Sequence, residues 1–216
     1  FAELTLSHPD LWWPYTMGKP NLYDLKLQFL QFDRPIDEKS QRFGVRTISQ
    51  FRDDDDAFPD LGSGGNFYLT VNGRDFLVRG ATYTPDLLYR DDPDRENAIL
   101  AYVRDLGLNM VRLESKIPNE RFVEAADELG IPLMVGWMCC NQWEKWPQWD
   151  AEDLRVAQNS TRSQVAMLRS HASAVVWANG SDGRPPERVL SDYHSILKNL
   201  HWQSAVVDTV SSYMTN

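Results

Sequence analysis

Asn109-Met110-Val111-Arg112-Leu113-Glu114 is the stretch that decides the fold. It is a short apolar run enclosed by two stretches of helical spacing. Upstream, Arg95–Leu106 puts Ile99, Leu100, Val103 and Leu106 on one face and stops at Gly107. Downstream, Asn119–Leu129 is helical and stops at Gly130. The same unit recurs outward in both directions. Phe76–Ala81 reads as a strand before it. After it come Ile131–Trp137 (strand), Asp153–Arg169 (helix), Ala174–Ala178 (strand), Glu187–Leu200 (helix) and Ala205–Val210 (strand). Strands alternating with helices make a parallel sheet. The first strand is not followed by the Gly-rich turn of a dinucleotide-binding fold. The remaining α/β architecture is a (β/α)₈ TIM barrel, of which five strands are too few to close the ring. The chain is therefore read as an excerpt truncated after about strand five.

The first 57 residues have a different texture. Leu22–Phe29 alternates apolar and polar, as do Ala2–Leu6 and the short run Gly44–Ile48, with Pro14, Gly18 and Pro20 between them. This is the pattern of the end of an antiparallel β-sandwich. A charged run, Arg52–Asp56, precedes a Gly/Ser patch at 62–65, so residues 58–66 are read as a linker. Phe67–Val71 and Asp75–Arg79 then flank Asn72-Gly73, a strong hairpin signal. The expected organisation is β-sandwich over 1–57, linker over 58–66 and the barrel portion over 67–216.

Composition removes several function classes. The 216 residues carry a net charge of −9, which argues against a nucleic-acid partner. No apolar run is long enough to cross a membrane as a helix. The acidic balance suits a cationic substrate, but on charge alone a solvated acidic surface explains it more readily. Cys139 and Cys140 are adjacent, so they close no useful disulfide loop, and no His stands at zinc spacing. Asp53–Asp56 lacks the alternation of a calcium loop. No metal or cofactor is expected.

In barrels the chemistry sits at the C-terminal ends of the strands. The residues just past each strand, taken in order, are Tyr83 and Asp86, then Glu114, then Trp137 and Trp143, then Ser181 and Asp182. Carboxylates and flat aromatics on one face suit glycoside hydrolysis, which needs an acid, a second carboxylate and a surface for a sugar ring. Each residue also has a plainer reading. Asp182, in Gly180-Ser181-Asp182-Gly183, reads on local grammar as a turn residue capping the next helix. Glu114 could pair with an Arg, and Trp137 and Trp143 could be core. A nucleophilic Ser181 is disfavoured, because no G-x-S-x-G elbow surrounds it.

Several segments resemble glycoside hydrolase family 2. Trp13-Pro14, Gly18, Pro20 and Leu22-Tyr23 are similar to a segment of that family's immunoglobulin-like domain. Phe43-Gly44-Val45-Arg46 is similar to the end of that domain. Leu108–Arg112 resembles the second barrel strand. Tyr83–Leu88, Val111–Glu114, Gly136–Cys140 with Trp143-Glu144, and Gly180-Ser181-Asp182 resemble the exo-β-D-glucosaminidase branch. The resemblance implies that residues 1–57 finish an immunoglobulin-like domain. It implies retaining hydrolysis of β-glycosidic bonds, with release of glucosamine from chitosan oligosaccharides. Asp182 becomes the acid/base and Ser181 takes the place of the family's usual Asn. Glu114 and Asp86 become binders of the sugar's ammonium group, and Tyr83, Trp137 and Trp143 line the sugar site.

The family's nucleophile is a Glu at the end of strand seven, beyond this chain. The 216 residues alone are thus expected to be inactive, and to associate with the rest of the barrel or with themselves. The alternatives are another family 2 activity (β-mannosidase or β-galactosidase) or a non-catalytic carbohydrate-binding fragment. Family habit implies a secreted or periplasmic parent protein.

Overall fold

The computed structural model describes residues 5–52, 67–86, 88, 90, 92–114, 117, 119–136 and 141–210. The chain enters as an antiparallel hairpin of β1 (Tyr23–Gln31) and β2 (Arg34–Phe43), in register from Tyr23 opposite Phe43 to Phe29 opposite Asp37, with a one-residue shift before Leu30 pairs with Pro35. Phe32 and Asp33 both take positive φ, 51° and 60°, the two-residue turn whose twist matches the strands it joins. β3 (Ile48–Arg52) pairs antiparallel with β4 (Phe67–Val71), which turns at Asn72-Gly73 into β5 (Arg74–Asp75).

Five parallel strands come next: β6 (Gly80–Tyr83), β7 (Met110–Leu113), β8 (Leu133–Gly136), β9 (Ala174–Ala178) and β10 (Ala205–Val207). They lie side by side in sequence order. The connecting helices are α1 (Pro93–Asp105), α2 (Glu120–Leu129), α3 (Ala151–Leu168) and α4 (Glu187–Asn199). Two short 3₁₀ turns, Asn141–Glu144 and Trp146–Gln148, lie between β8 and α3.

The helices start and stop for local reasons. Asn119 caps α2 through a bond from Phe122 N, and Gly130 ends it at φ 68°. Asp150 and Asp153 form a reciprocal capping box on α3, so that helix starts two residues before the expected Asp153. The apolar faces of all four helices pack on one side of the sheet, with Leu100, Phe122, Val165 and Leu197 against Val111, Leu133 and Trp177.

The N-terminal segment seals the end of the sheet where the strands begin. Trp12 is fully buried and donates from Nε1 to Asp127 O at 2.8 Å. The Tyr15 hydroxyl donates to Leu108 O at 2.7 Å. Arg46 donates to Ala172 O at 2.8 Å, Ala174 O at 2.9 Å and Ser204 Oγ at 2.7 Å. Burial lowers its pKa to about 10, so it stays charged at neutral pH. Gly44 is tightly enclosed: a Cβ there would lie 2.7 Å from Ala172 Cβ and 2.8 Å from Trp12 Cβ.

Several expected boundaries are corrected. The strand expected at Gly44–Ile48 begins at Ile48, because Val45 makes only a single bridge, to Leu11. The β2 strand has no counterpart among the expected elements. The strand expected at Phe76–Ala81 begins at Gly80, and the hairpin's return strand is only two residues long. The Asn109 side chain clamps that passage instead of a ladder, accepting from Arg79 N at 2.6 Å and donating to Leu77 O at 2.8 Å. The helix-cap reading of Asp182 is also overturned. The N-cap of α4 is Pro186, four residues on, and it makes no side-chain cap bond.

Candidate active site

Two of the three expected carboxylates stand at strand ends tied to each other, Glu114 after β7 and Asp182 after β9. Glu114 is one position past Leu113. Arg112 and Glu114 alternate onto the same face of that strand. The Arg112 guanidinium is 4.0 Å from Glu114 Oε1, and both side chains are about a quarter exposed, at 27% and 28%. Arg112 also donates to Ser181 Oγ, which joins the ends of β7 and β9. Ser181 is buried, at 2% exposure, and its hydroxyl lies 3.4 Å from Asp182 Oδ1. Arg112, Ser181 and Asp182 therefore form a chain that ends on an exposed carboxylate.

The turn that carries Asp182 is fixed on every side. Gly180 has no room for a side chain, since a Cβ would lie 2.9 Å from Pro185 Cδ. Thr209 Oγ1, just past β10, donates to Ser181 O at 3.0 Å. Glu144 accepts from Ser181 N at 2.6 Å and from Asp182 N at 3.1 and 3.2 Å. Beneath the turn, buried Asn179 donates to Asp208 Oδ1 at 3.2 Å and accepts from Trp177 Nε1 at 3.0 Å. Asp208, 1% exposed, is met by His194 at 2.8 Å and Arg184 at 3.2 Å. A buried carboxylate so surrounded is a structural anchor for the turn.

The other expected site residues that are described lie apart from this cluster or serve the core. The Asp86 carboxylate already faces two guanidinium groups, Arg90 at 2.7 Å and Arg95 at 3.2 Å. The Arg90 bond, with backbone N–H bonds from Leu88 and Arg90, holds it well below the usual carboxylate range. Tyr83 stacks on Phe122, with ring centroids 5.2 Å apart and planes 7° from parallel. Burial raises its hydroxyl pKa. Trp143 packs beside the cluster of Trp146, Trp149, Val189 and Tyr193. Trp137, Cys139 and Cys140 lie outside the described residues. No group of three or more potential metal ligands occurs among the described residues.

Glu144 and Thr209 are site residues that sequence reasoning misses. Glu144 stands next to Trp143, but its contact spans 37 residues and no local pattern reports it. Thr209 sits two residues past β10 but inside the longer strand expected at Ala205–Val210, so strand-end logic passes over it.

A sequence profile of Glycosyl hydrolases family 2 matches residues 1–46. The exo-β-D-glucosaminidase of Amycolatopsis orientalis is 35% identical over 219 residues, covering 98% of this chain and 20% of that protein. That of Hypocrea jecorina is 31% identical, covering 96% of this chain and 23% of its own length. The Amycolatopsis orientalis exo-chitosanase CsxA, solved in complex with PNP-β-D-glucosamine, superimposes with a TM-score of 0.86 at 34% identity, over 96% of this chain and 24% of that one. The chain thus spans about a fifth to a quarter of the length of these relatives. The chain belongs to glycoside hydrolase family 2. Within the family its relatives at 31–35% identity are exo-β-D-glucosaminidases, whereas β-mannosidase B of Emericella nidulans stands at 26%.

Proposed function

We propose that this chain is part of a retaining exo-β-D-glucosaminidase in which Asp182 is the general acid/base. The observation that carries the reading is the position of Asp182. It is an exposed carboxylate just past the C-terminal end of β9, on a turn fixed by Glu144 and Thr209. The chemistry assigns it two opposite transfers. As the bond from the sugar's anomeric carbon to the departing oxygen breaks, Asp182 gives that oxygen its proton. A second carboxylate, supplied by the rest of the full-length protein, bonds the anomeric carbon. Water then attacks that carbon, Asp182 takes the water's proton and the second carboxylate leaves. Glu114, 4.0 Å from Arg112 and on the same edge, is read as the acceptor for the sugar's 2-ammonium group.

Residues 1–57 are read as the end of an immunoglobulin-like sandwich, and residues 67–216 as the first part of a TIM barrel. Two surfaces support this. The β1–β2 hairpin exposes Leu27 (57%) and Phe29 (67%) on one face. The open face of the parallel sheet holds a cavity of about 330 Å³ lined by Val78, Ala81, Met110 and Met134. The hairpin face also carries Lys39 and Asp37, and the cavity is also lined by Arg112, so each is a mixed face whose apolar part further strands would cover.

The test is hydrolysis by the full-length protein of β-glucosaminide, β-mannoside and β-galactoside side by side. Preference for the glucosaminide is expected, with loss of that activity in Asp182→Asn. Preference for another sugar, or an active Asp182→Asn, overturns the reading. The 216 residues alone should give no turnover and should self-associate in light scattering through the open faces.

A further inference from the structure

We propose that Glu144 is a positioning residue for proton transfer: it aims Asp182 without touching the sugar. This rests on the reading of Asp182 as the acid/base. The peptide unit that joins Ser181 to Asp182 is held by two side chains. Its carbonyl accepts from Thr209 Oγ1 at 3.0 Å. Its N–H donates to Glu144 Oε1 at 3.1 Å and Oε2 at 3.2 Å. The peptide is thus pinned at both ends from the loops after β8 and β10, on either side of the strand that carries it.

Glu144 Oε1 also accepts from Ser181 N at 2.6 Å, so one carboxylate receives two successive backbone N–H groups. Paired amides facing one anion form a concave donor site, and charged acceptors make the stronger bonds. The planes on both sides of Ser181 are then set, and with them the place from which Asp182 Cα carries its side chain. Gly180, with no room for a Cβ, and Gly183, close against the Trp146 ring, leave the turn little space to re-form elsewhere. Glu144 itself is occupied by the backbone, in a 3₁₀ turn braced by the Trp146 and Trp149 cluster.

Proton donation is sensitive to the placement of the acid, whereas Glu114 meets this turn only through Arg112 and the Ser181 hydroxyl and makes no contact with the peptide that Glu144 holds. Loss of Glu144 should therefore impair cleavage in proportion to how much the leaving group needs a proton. A sugar leaving group needs one, whereas 2,4-dinitrophenolate leaves without help.

The experiment compares kcat/KM of the full-length protein and its Glu144→Ala, Glu144→Gln and Asp182→Asn variants on glucosamine disaccharide and on 2,4-dinitrophenyl β-glucosaminide. For Glu144→Ala a loss of about 10²-fold is expected on the disaccharide, the scale of a misplaced reacting group. On the dinitrophenyl substrate the change should stay within about threefold, because little general acid catalysis is at stake there. Glu144→Gln keeps one carbonyl oxygen for both amides and should fall between. Equal losses on both substrates, or no loss, overturn the proposal. If Glu144→Ala loses its native thermal transition, the same comparison on Glu144→Gln decides the matter. Asp182→Asn separates the two ideas. If it shows no selective loss on the disaccharide, the acid/base reading fails. If it does while the Glu144 variants do not, only the positioning role fails.

Discussion

Asp127 Oδ2 lies 2.7 Å from Nδ1 of His171, in a pair where both side chains are about 5% exposed or less. Asp127 Oδ1 also accepts from Ser173 N at 2.7 Å, and its backbone carbonyl accepts from Trp12 Nε1. One residue of α2 thus ties the N-terminal segment to the approach to β9.

That pair predicts a pH dependence of stability. Burial alone would lower the pKa of His171, but the Asp127 hydrogen bond and charge outweigh it, with Glu120 and Glu124 adding in the same direction, so the folded value is raised. A base that holds its proton more tightly when folded stabilises the fold fully below its unfolded pKa of about 6.5. The contribution is lost as pH rises through the higher folded value. The thermal midpoint of the wild type should therefore exceed that of His171→Gln by more at pH 6 than at pH 9. An equal gap at both pH values would show that the pair contributes no proton-linked stability.

Arg46 predicts a pH-independent loss. Its guanidinium serves the carbonyls of Ala172 and Ala174 and the hydroxyl of Ser204. Arg46→Met takes this donor from the Ala172 carbonyl and leaves the Ala174 carbonyl to Ser204 Oγ, which donates to it at 2.8 Å, so the expected cost is about 1–3 kcal/mol. Arg46→Lys should recover only part of this, since an ammonium group lacks the planar fork that reaches several acceptors. Urea unfolding of the three proteins measures both steps.

Much of this organisation is legible in the sequence, for physical reasons. The β/α alternation shows because parallel strands buried on both faces read as apolar runs, as in Ala174–Ala178, where all five residues are buried. The β2 strand does not show. Arg34–Phe43 is exposed over most of its length, so no apolar period marks it, and only its pairing with β1 makes it a strand. Asp182 is ambiguous in sequence because Gly-Ser-Asp-Gly fits a helix cap. The signal against that reading is Pro185-Pro186, since the helix starts directly after Pro186. Glu144 is hidden because its role is tertiary: a carboxylate in one loop holding the backbone of another.

The approach of β8 to β9 gives a further prediction. Gly136 ends β8 at φ 132°, and a Cβ there would fall against the backbone of Ala178. Gly107, at φ 70°, has nothing within 4 Å of its notional Cβ. Gly107→Ala should cost only its backbone conformation, about 1 kcal/mol. Gly136→Ala adds a clash in a conformation open to almost no other residue, and should cost about 3 kcal/mol or more. The strand ends directly before the loop that delivers Glu144, so activity should fall in Gly136→Ala and persist in Gly107→Ala. Thermal midpoints and glucosaminide turnover, measured together, check the pair.

Glu114 carries the prediction about sugar selectivity. If it accepts the 2-ammonium group, its charge favours a cationic amino sugar over a neutral 2-hydroxyl sugar of the same configuration. Glu114→Gln keeps the shape and one acceptor and removes the charge. A hydrogen bond to a charged group is worth about 1.5–3 kcal/mol, so the preference for p-nitrophenyl β-glucosaminide over p-nitrophenyl β-glucoside, taken as a ratio of kcat/KM, should fall about tenfold or more. The loss should appear mainly in KM, because the 2-ammonium group takes no part in bond breaking and is held equally before and during it. Arg112 stands 4.0 Å from this carboxylate and also holds Ser181, so a simple charge deletion could disturb the acid turn as well. The glucoside itself controls for that. If its kcat/KM falls as far as that of the glucosaminide, Glu114 supports the site through Arg112 and does not read the amine.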